Sequence, residues 1–173
     1  MNTTDIKEQL IHHHQVFTTY IDELSEAEYL ATPNDKWSAG QQIEHIYISV
    51  HPVAKLVANK GVMKEKFGTL DRPSRSYDRL VADYLEVLDG GAKAGPRFTP
   101  DVTPFSAKTT LITGITNDMK SINSELDQYT EEELEQLVIP HPVMGPFTLR
   151  EMLMFTIYHV QHHDQKIKEN LTA

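Results

Sequence analysis

The run Thr148-Leu-Arg-Glu151-Met-Leu-Met-Phe-Thr156-Ile-Tyr-His159-Val-Gln-His-His163-Asp-Gln165 decides the fold. Thr148 followed by Glu151 fits the S/T-x-x-E/Q capping box, so a helix is predicted to open here and to run to about Asn170. Leu149, Met152, Thr156, His159, His163 and Ile167 recur at three- and four-residue spacing, which is one face of that helix. His159 and His163 are four residues apart, so both imidazoles leave the same face about one turn from each other. A helix offers two imidazoles to one metal ion at this spacing. Because their stripe is otherwise apolar, the pair points into a core, where a neutral imidazole needs a hydrogen bond or a metal.

Working outward, further helices are expected to pack against this one. Ile6, Leu10, His13, Phe17, Ile21 and Leu24 make a first stripe, and Ser25-Glu-Ala-Glu28 reads as a short helical turn. Ser38 with Gln41 is a second capping box, opening a helix through Ile43, Ile46, Val50, Val53, Leu56 and Val57. Pro52 is expected to kink it and Gly61 to end it. Residues 61–73 read as a loop. Ser74 is expected to cap a helix over 74–89, stopped by Gly90-Gly91, and 90–104 is a Gly- and Pro-rich loop. Residues 106–129 form the next predicted helix, weakened by Gly114. Thr130 with Glu133 caps a short helix to Leu137, and His141-Pro-Val-Met-Gly-Pro146 is a turn. No strand is predicted. The simplest architecture is all-α: a four-helix bundle with one or two extra short helices, in a single domain over 1–173.

The composition narrows the chemistry. Lys and Arg number 16 against 25 Asp and Glu, a formal net charge of -9, which argues against a nucleic-acid-binding surface. There is no cysteine, so a transition-metal site must use imidazole, carboxylate and water, and an activated sulfur would have to come from a cosubstrate. No apolar run approaches the roughly 20 residues that span a bilayer, and the charged residues and three histidines of 1–24 do not suit a signal peptide. A cytoplasmic location, with no membrane or nucleic-acid partner, is expected.

The chain holds 9 histidines, enough for an i,i+4 pair to arise by chance, so spacing alone leaves open a histidine-rich, half-exposed helix face. His45, two turns into the helix opened by Ser38 and on the side of Gln42, Ser49 and Pro52, is the natural third ligand beside the pair. Alone, such a histidine is more often a satisfied core residue. Three protein ligands and an open position are what a catalytic metal needs. His162 points about 100° away from His163. One of His12, His13 and His14 must face inward, His51 is expected to be exposed, and His141 could approach the mouth of the site. Glu44, Asp164 or a first-helix histidine are candidate acids or bases, with Glu44 favoured to face solvent, and Gln165 is a candidate partner for a ligand.

Three segments carry a family resemblance: Lys36-Trp37-Ser38 with Glu44-His45-Ile46, then Gly145-Pro-Phe-Thr148-Leu-Arg150-Glu, then His159-Val-Gln-His-His163-Asp-Gln165. Together they resemble the DinB-like superfamily, and most closely its branch of YfiT-type metal-dependent hydrolases. The resemblance covers about residues 5–170. It implies a four-helix bundle, often a homodimer, that holds a divalent metal, usually zinc or nickel, on three histidines. Those positions fall on His45, His159 and His163. It also implies a small-molecule substrate, with low-molecular-weight thiols such as bacillithiol or mycothiol as cosubstrates in transferase and isomerase members. Two functions are expected from this: a metal-dependent hydrolase or thiol transferase, or else a non-enzymatic metal- or small-molecule-binding stress-response bundle.

Overall fold

Side-chain caps set the helix starts. The structure, a computed structural model, describes residues 1–172. In α1 (Thr3–Glu23) the Asn2 side chain accepts from the Asp5 amide while the Asp5 carboxylate accepts from the Asn2 amide. The same reciprocal box opens α2 (Glu26–Leu30) through Ser25 and Glu28, and α3 (Ala39–Val57) through Ser38 and Gln41. After α4 (Lys60–Phe67), α5 (Tyr77–Asp89) and α6 (Lys108–Glu125), it recurs at α7 (Glu131–Gln136) through Thr130 and Glu133. At α8 (Leu149–Thr172), Thr148 and Glu151 exchange bonds of 3.0 and 3.1 Å. Each box pairs two amides that the bonding pattern of a helix leaves orphaned, at about 1 kcal/mol per cap.

The four long helices α1, α3, α6 and α8 form the bundle. α6 and α8 each lie against both α1 and α3, so α1 and α3 face each other across the core. In a simple up-and-down bundle, helices joined by short connections sit side by side; here the chain crosses the diagonal by way of α2. Ile6, Leu10, Phe17 and Ile21 of α1 meet Ile43 and Ile46 of α3, Ile115 and Ile122 of α6, and Leu153 and Val160 of α8 in one buried cluster. Burying each such side chain contributes about 1.5–3 kcal/mol, which offsets the entropy of ordering the helices. Gly114, a weak helix former inside α6, has a packing reason. A Cβ there would stand 2.6 Å from the Tyr47 ring of α3, so glycine lets the two helices close.

Several local expectations are corrected. The inward-facing member of the first histidine run is His14, not His13: Leu10, His14, Phe17 and Ile21 share the buried face. Residues 61–73 are not all loop, because α4 begins one residue before Gly61 and ends at Gly68, whose φ of 73° suits glycine. Ser76 rather than Ser74 caps α5, and the Ser74 hydroxyl instead bonds the Thr148 hydroxyl at 2.7 Å. α3 ends at Val57 rather than at Gly61, with Pro52 inside it.

The expectation of no strand also fails. β1 (Val138–His141) and β2 (Gly145–Thr148) form an antiparallel hairpin that feeds directly into α8. Pro140, Pro142 and Pro146 hide it from a sequence reading, since proline cannot donate to a ladder. Pro140 lies opposite Pro146, at a pair that needs no exchanged amide bonds.

The start of α8 is held by an ion-pair hub. Glu151 is fully buried and accepts from Arg72 at 2.7 and 2.8 Å, from the Arg75 side chain at 2.9 Å and from the Arg75 amide at 2.8 Å. One carboxylate thus completes the α8 cap and ties the chain entering α5 onto α8, which carries two of the three candidate metal ligands.

Candidate metal centre

Two cap-fixed helices bring three histidines to one point. Ser38 sets the phase of α3 and points His45 inward; the Thr148–Glu151 box does the same for His159 and His163 on α8. All three are buried. His159 Nε2 lies 3.1 Å from His45 Nε2 and 3.1 Å from His163 Nε2, and the three ligand atoms lie within 4.8 Å of one another. The outward nitrogens are engaged elsewhere. His45 Nδ1 donates to the Phe98 carbonyl at 2.6 Å, and His163 Nδ1 donates to Gln42 Oε1. With the protons on Nδ1, both rings present a bare Nε2 to the centre, as a metal ligand must. Trp37 covers the cluster, its ring 5.2 Å from that of His45 and stacked at 6.5 Å on that of His163.

The donor set fits a divalent ion. Metal–nitrogen bonds of about 2.0–2.1 Å in tetrahedral geometry separate ligand nitrogens by about 3.3 Å, close to the 3.1 Å that separates His159 Nε2 from each of the other two. His159 Nε2 can give a proton to at most one of its two neighbours, so at least one close contact between lone pairs is left for a cation to relieve. Burial pushes the pKa values of His159 and His163 well below the ordinary imidazole range, and the neighbouring histidines push the same way. Burial also lowers His45, partly offset by its bond to the Phe98 carbonyl. All three are therefore neutral near pH 7, the form that binds metal.

A cavity of about 230 Å³ opens onto this cluster. His45 and His159 line one part of it. Leu56, Leu88, Met152 and Phe155 make much of the wall, and Lys93 and Arg97, both exposed, line it from the segment after α5. The wall is completed by the loop after α5 and by Ile139, Pro140 and His141 of the hairpin.

The remaining sequence candidates are dispersed. His12 is exposed, His13 bonds Gln9 at 2.8 Å, and His14 bonds the Leu10 carbonyl at 2.8 Å within α1. His51 is not free, because it pairs with Asp118 at 3.0 Å. His162 is half-buried beside His163, and Asp164 bonds Lys168 at 2.6 Å. Glu44 is partly buried and accepts from Thr103. Gln165 is exposed and bonds Glu169, so it does not support a ligand; Gln42 does. Gln42 lies three residues before His45 on the same side of α3, the one sequence signal that could have found it. Replacing it should matter. Gln42→Leu is expected to weaken zinc binding by about 10–100-fold, read by competition with a chromophoric chelator, because the His163 ring loses the acceptor that fixes its tautomer.

Fold and site together define a helical bundle with a buried three-histidine centre that could hold a metal ion. The model of the DinB superfamily matches residues 9–167, and the chain belongs to that superfamily. No curated protein matches it. Among solved structures it is similar to YfiT from Bacillus subtilis, described as "a probable metal-dependent hydrolase with an unusual four-helix bundle topology". The TM-score is 0.60 at 14% identity, over 96% of this chain and 84% of that one, a likeness of fold. Among the described residues no helix is long and apolar enough to cross a membrane.

Proposed function

We propose that the protein is a divalent-metal enzyme, a hydrolase or low-molecular-weight-thiol transferase, in which His45, His159 and His163 hold zinc or nickel. One observation carries this: three buried imidazoles, two of them fixed as Nδ1–H tautomers, converge beside an apolar cavity. A divalent ion held there would polarise an oxygen or sulfur group brought to its open position. The protein supplies the rest. Gln42 and the Phe98 carbonyl orient two ligands, Trp37 shields the cluster, and the apolar walls exclude water around a small substrate. Since the chain has no cysteine, the sulfur of any thiol transfer is a cosubstrate's.

The test is turnover by untagged protein loaded with zinc or nickel. Small esters and amides are offered in one series, and in another several low-molecular-weight thiols with electrophilic acceptors. Metal-dependent turnover in either series, absent from His45→Ala, is the expected result. Stoichiometric metal without turnover in any series would assign the site to a non-enzymatic binding protein instead.

A further inference from the structure

The metal centre makes no use of His141-Pro-Val-Met-Gly-Pro146, yet this motif puts a histidine on the cavity wall. His141 ends β1, and the turn that follows folds the Val143 and Met144 amides back onto its ring. Both donate to Nδ1, at 3.3 and 3.2 Å. A nitrogen that accepts hydrogen bonds carries no proton, so a neutral His141 keeps its proton on Nε2. This is the opposite tautomer to His45 and His163, which donate through Nδ1. The ring is also held by packing, stacked on Phe147 at 4.8 Å and edge-on to Phe155 at 4.4 Å. Burial, helped by the nearby Arg75 charge, lowers its pKa to about 4, which keeps it neutral at pH 7.

The charged lining agrees in sense. Among the described residues, Lys93 and Arg97 line the cavity and no carboxylate does, in a chain whose net charge is -9. The fixed His141 donor and the two cationic residues at the wall therefore call for acceptors on the ligand, and the other surfaces of the cavity call for an apolar body.

We propose that the cavity selects a mostly apolar molecule bearing an acyl or carboxylate oxygen, and that His141 donates its Nε2 proton to that oxygen. The proposal rests on the cavity being the substrate site of the metal centre proposed above. His141 binds and orients the substrate; it is not a fourth metal ligand, because its free nitrogen is protonated. A ligand whose polar end only donates meets unpaired donors and is rejected.

Two measurements on the full chain decide this. In the first, ¹⁵N NMR of histidine-labelled protein, with the His141 signals assigned by their loss in His141→Phe, is expected to place the His141 proton on Nε2. A proton on Nδ1 overturns the proposal. In the second, calorimetric titrations use 4-phenylbutyrate and 4-phenylbutylamine, with zinc-loaded and with metal-free protein. The acid is expected to bind at least about tenfold more tightly than the amine. His141→Phe should weaken the acid by about tenfold and leave the amine unchanged, and His141→Gln, which keeps a side-chain donor, should recover part of the loss. No binding of the acid, no preference for it, or equal affinity in wild type and His141→Phe overturns the proposal. Failure to bind zinc would sink the metal reading alone, since the tautomer and the metal-free titration are read without it.

Discussion

His159→Ala is expected to abolish stoichiometric zinc or nickel binding, while His162→Ala, one residue from His163, retains it. His159 is the ligand whose Nε2 stands 3.1 Å from both others, so its loss leaves two nitrogens with no shared neighbour. If the binding energy of a structural zinc site, about 10–16 kcal/mol, is shared among its ligands, one ligand is worth about 3 kcal/mol. That corresponds to a loss of at least about a hundredfold in affinity. The measurement is metal content after dialysis, together with the rise in Tm on adding zinc. A ligand in thousandfold excess over its Kd stabilises the native state by about 4 kcal/mol, and the variant should show little of that rise. Equal metal content in His159→Ala and wild type would remove these histidines from the metal site.

Glu151→Gln should destabilise the fold by about 3 kcal/mol at pH 7, read as a fall in the urea unfolding midpoint with the slope unchanged. The glutamine keeps the shape but turns an amide donor toward two guanidinium groups that previously met a carboxylate. The lower end of the range for a broken buried pair is appropriate, because Arg72 and Arg75 are partly exposed and can recover some hydration. The pH dependence has a definite sign. Burial pushes the Glu151 pKa up, but the bonds from Arg72, Arg75 and the Thr148 amide outweigh it and hold the carboxyl down at about 2, against an ordinary value of 4.5. A depressed carboxyl stabilises the fold fully above the unfolded value and loses that contribution as pH falls. The stability difference between wild type and Glu151→Gln should therefore be constant above about pH 4.5 and shrink as pH falls toward 2. Over that window the change is about 3 kcal/mol, in line with the substitution itself. A difference that does not change across this window would show that the pair is not formed.

Much of the fold is legible because local chemistry fixes it. Ser25, Ser38, Thr130 and Thr148 each open a helix, since a hydroxyl and the acid or amide three residues on find each other's backbone amides close at hand. The phase of α8 follows from the same start, and with it the shared face of His159 and His163. Ser74 shows the limit of such reasoning. It has the chemistry of a cap, but its hydroxyl is taken by Thr148, so Ser76 opens α5. The hairpin was illegible for a similar reason: local propensity counts three prolines against it, while the Ile139–Phe147 and Val138–Thr148 pairings exist only between strands.

The sequence alone determined the helical class, most helix starts and the shared face of His159 and His163, because helix periodicity and capping act within a few residues; that His45 joins them was implied by the family resemblance. Tertiary structure decided what those histidines meet. Gln42, not Gln165, orients His163, because that choice depends on how α3 lies against α8. His14 packs within α1 and His51 pairs with Asp118, both away from the centre. His141, written as part of a turn, becomes a donor on the cavity wall only once the hairpin closes on it. Hydrogen-bond partners and burial are properties of distance in space, and only the packing of the bundle sets those distances.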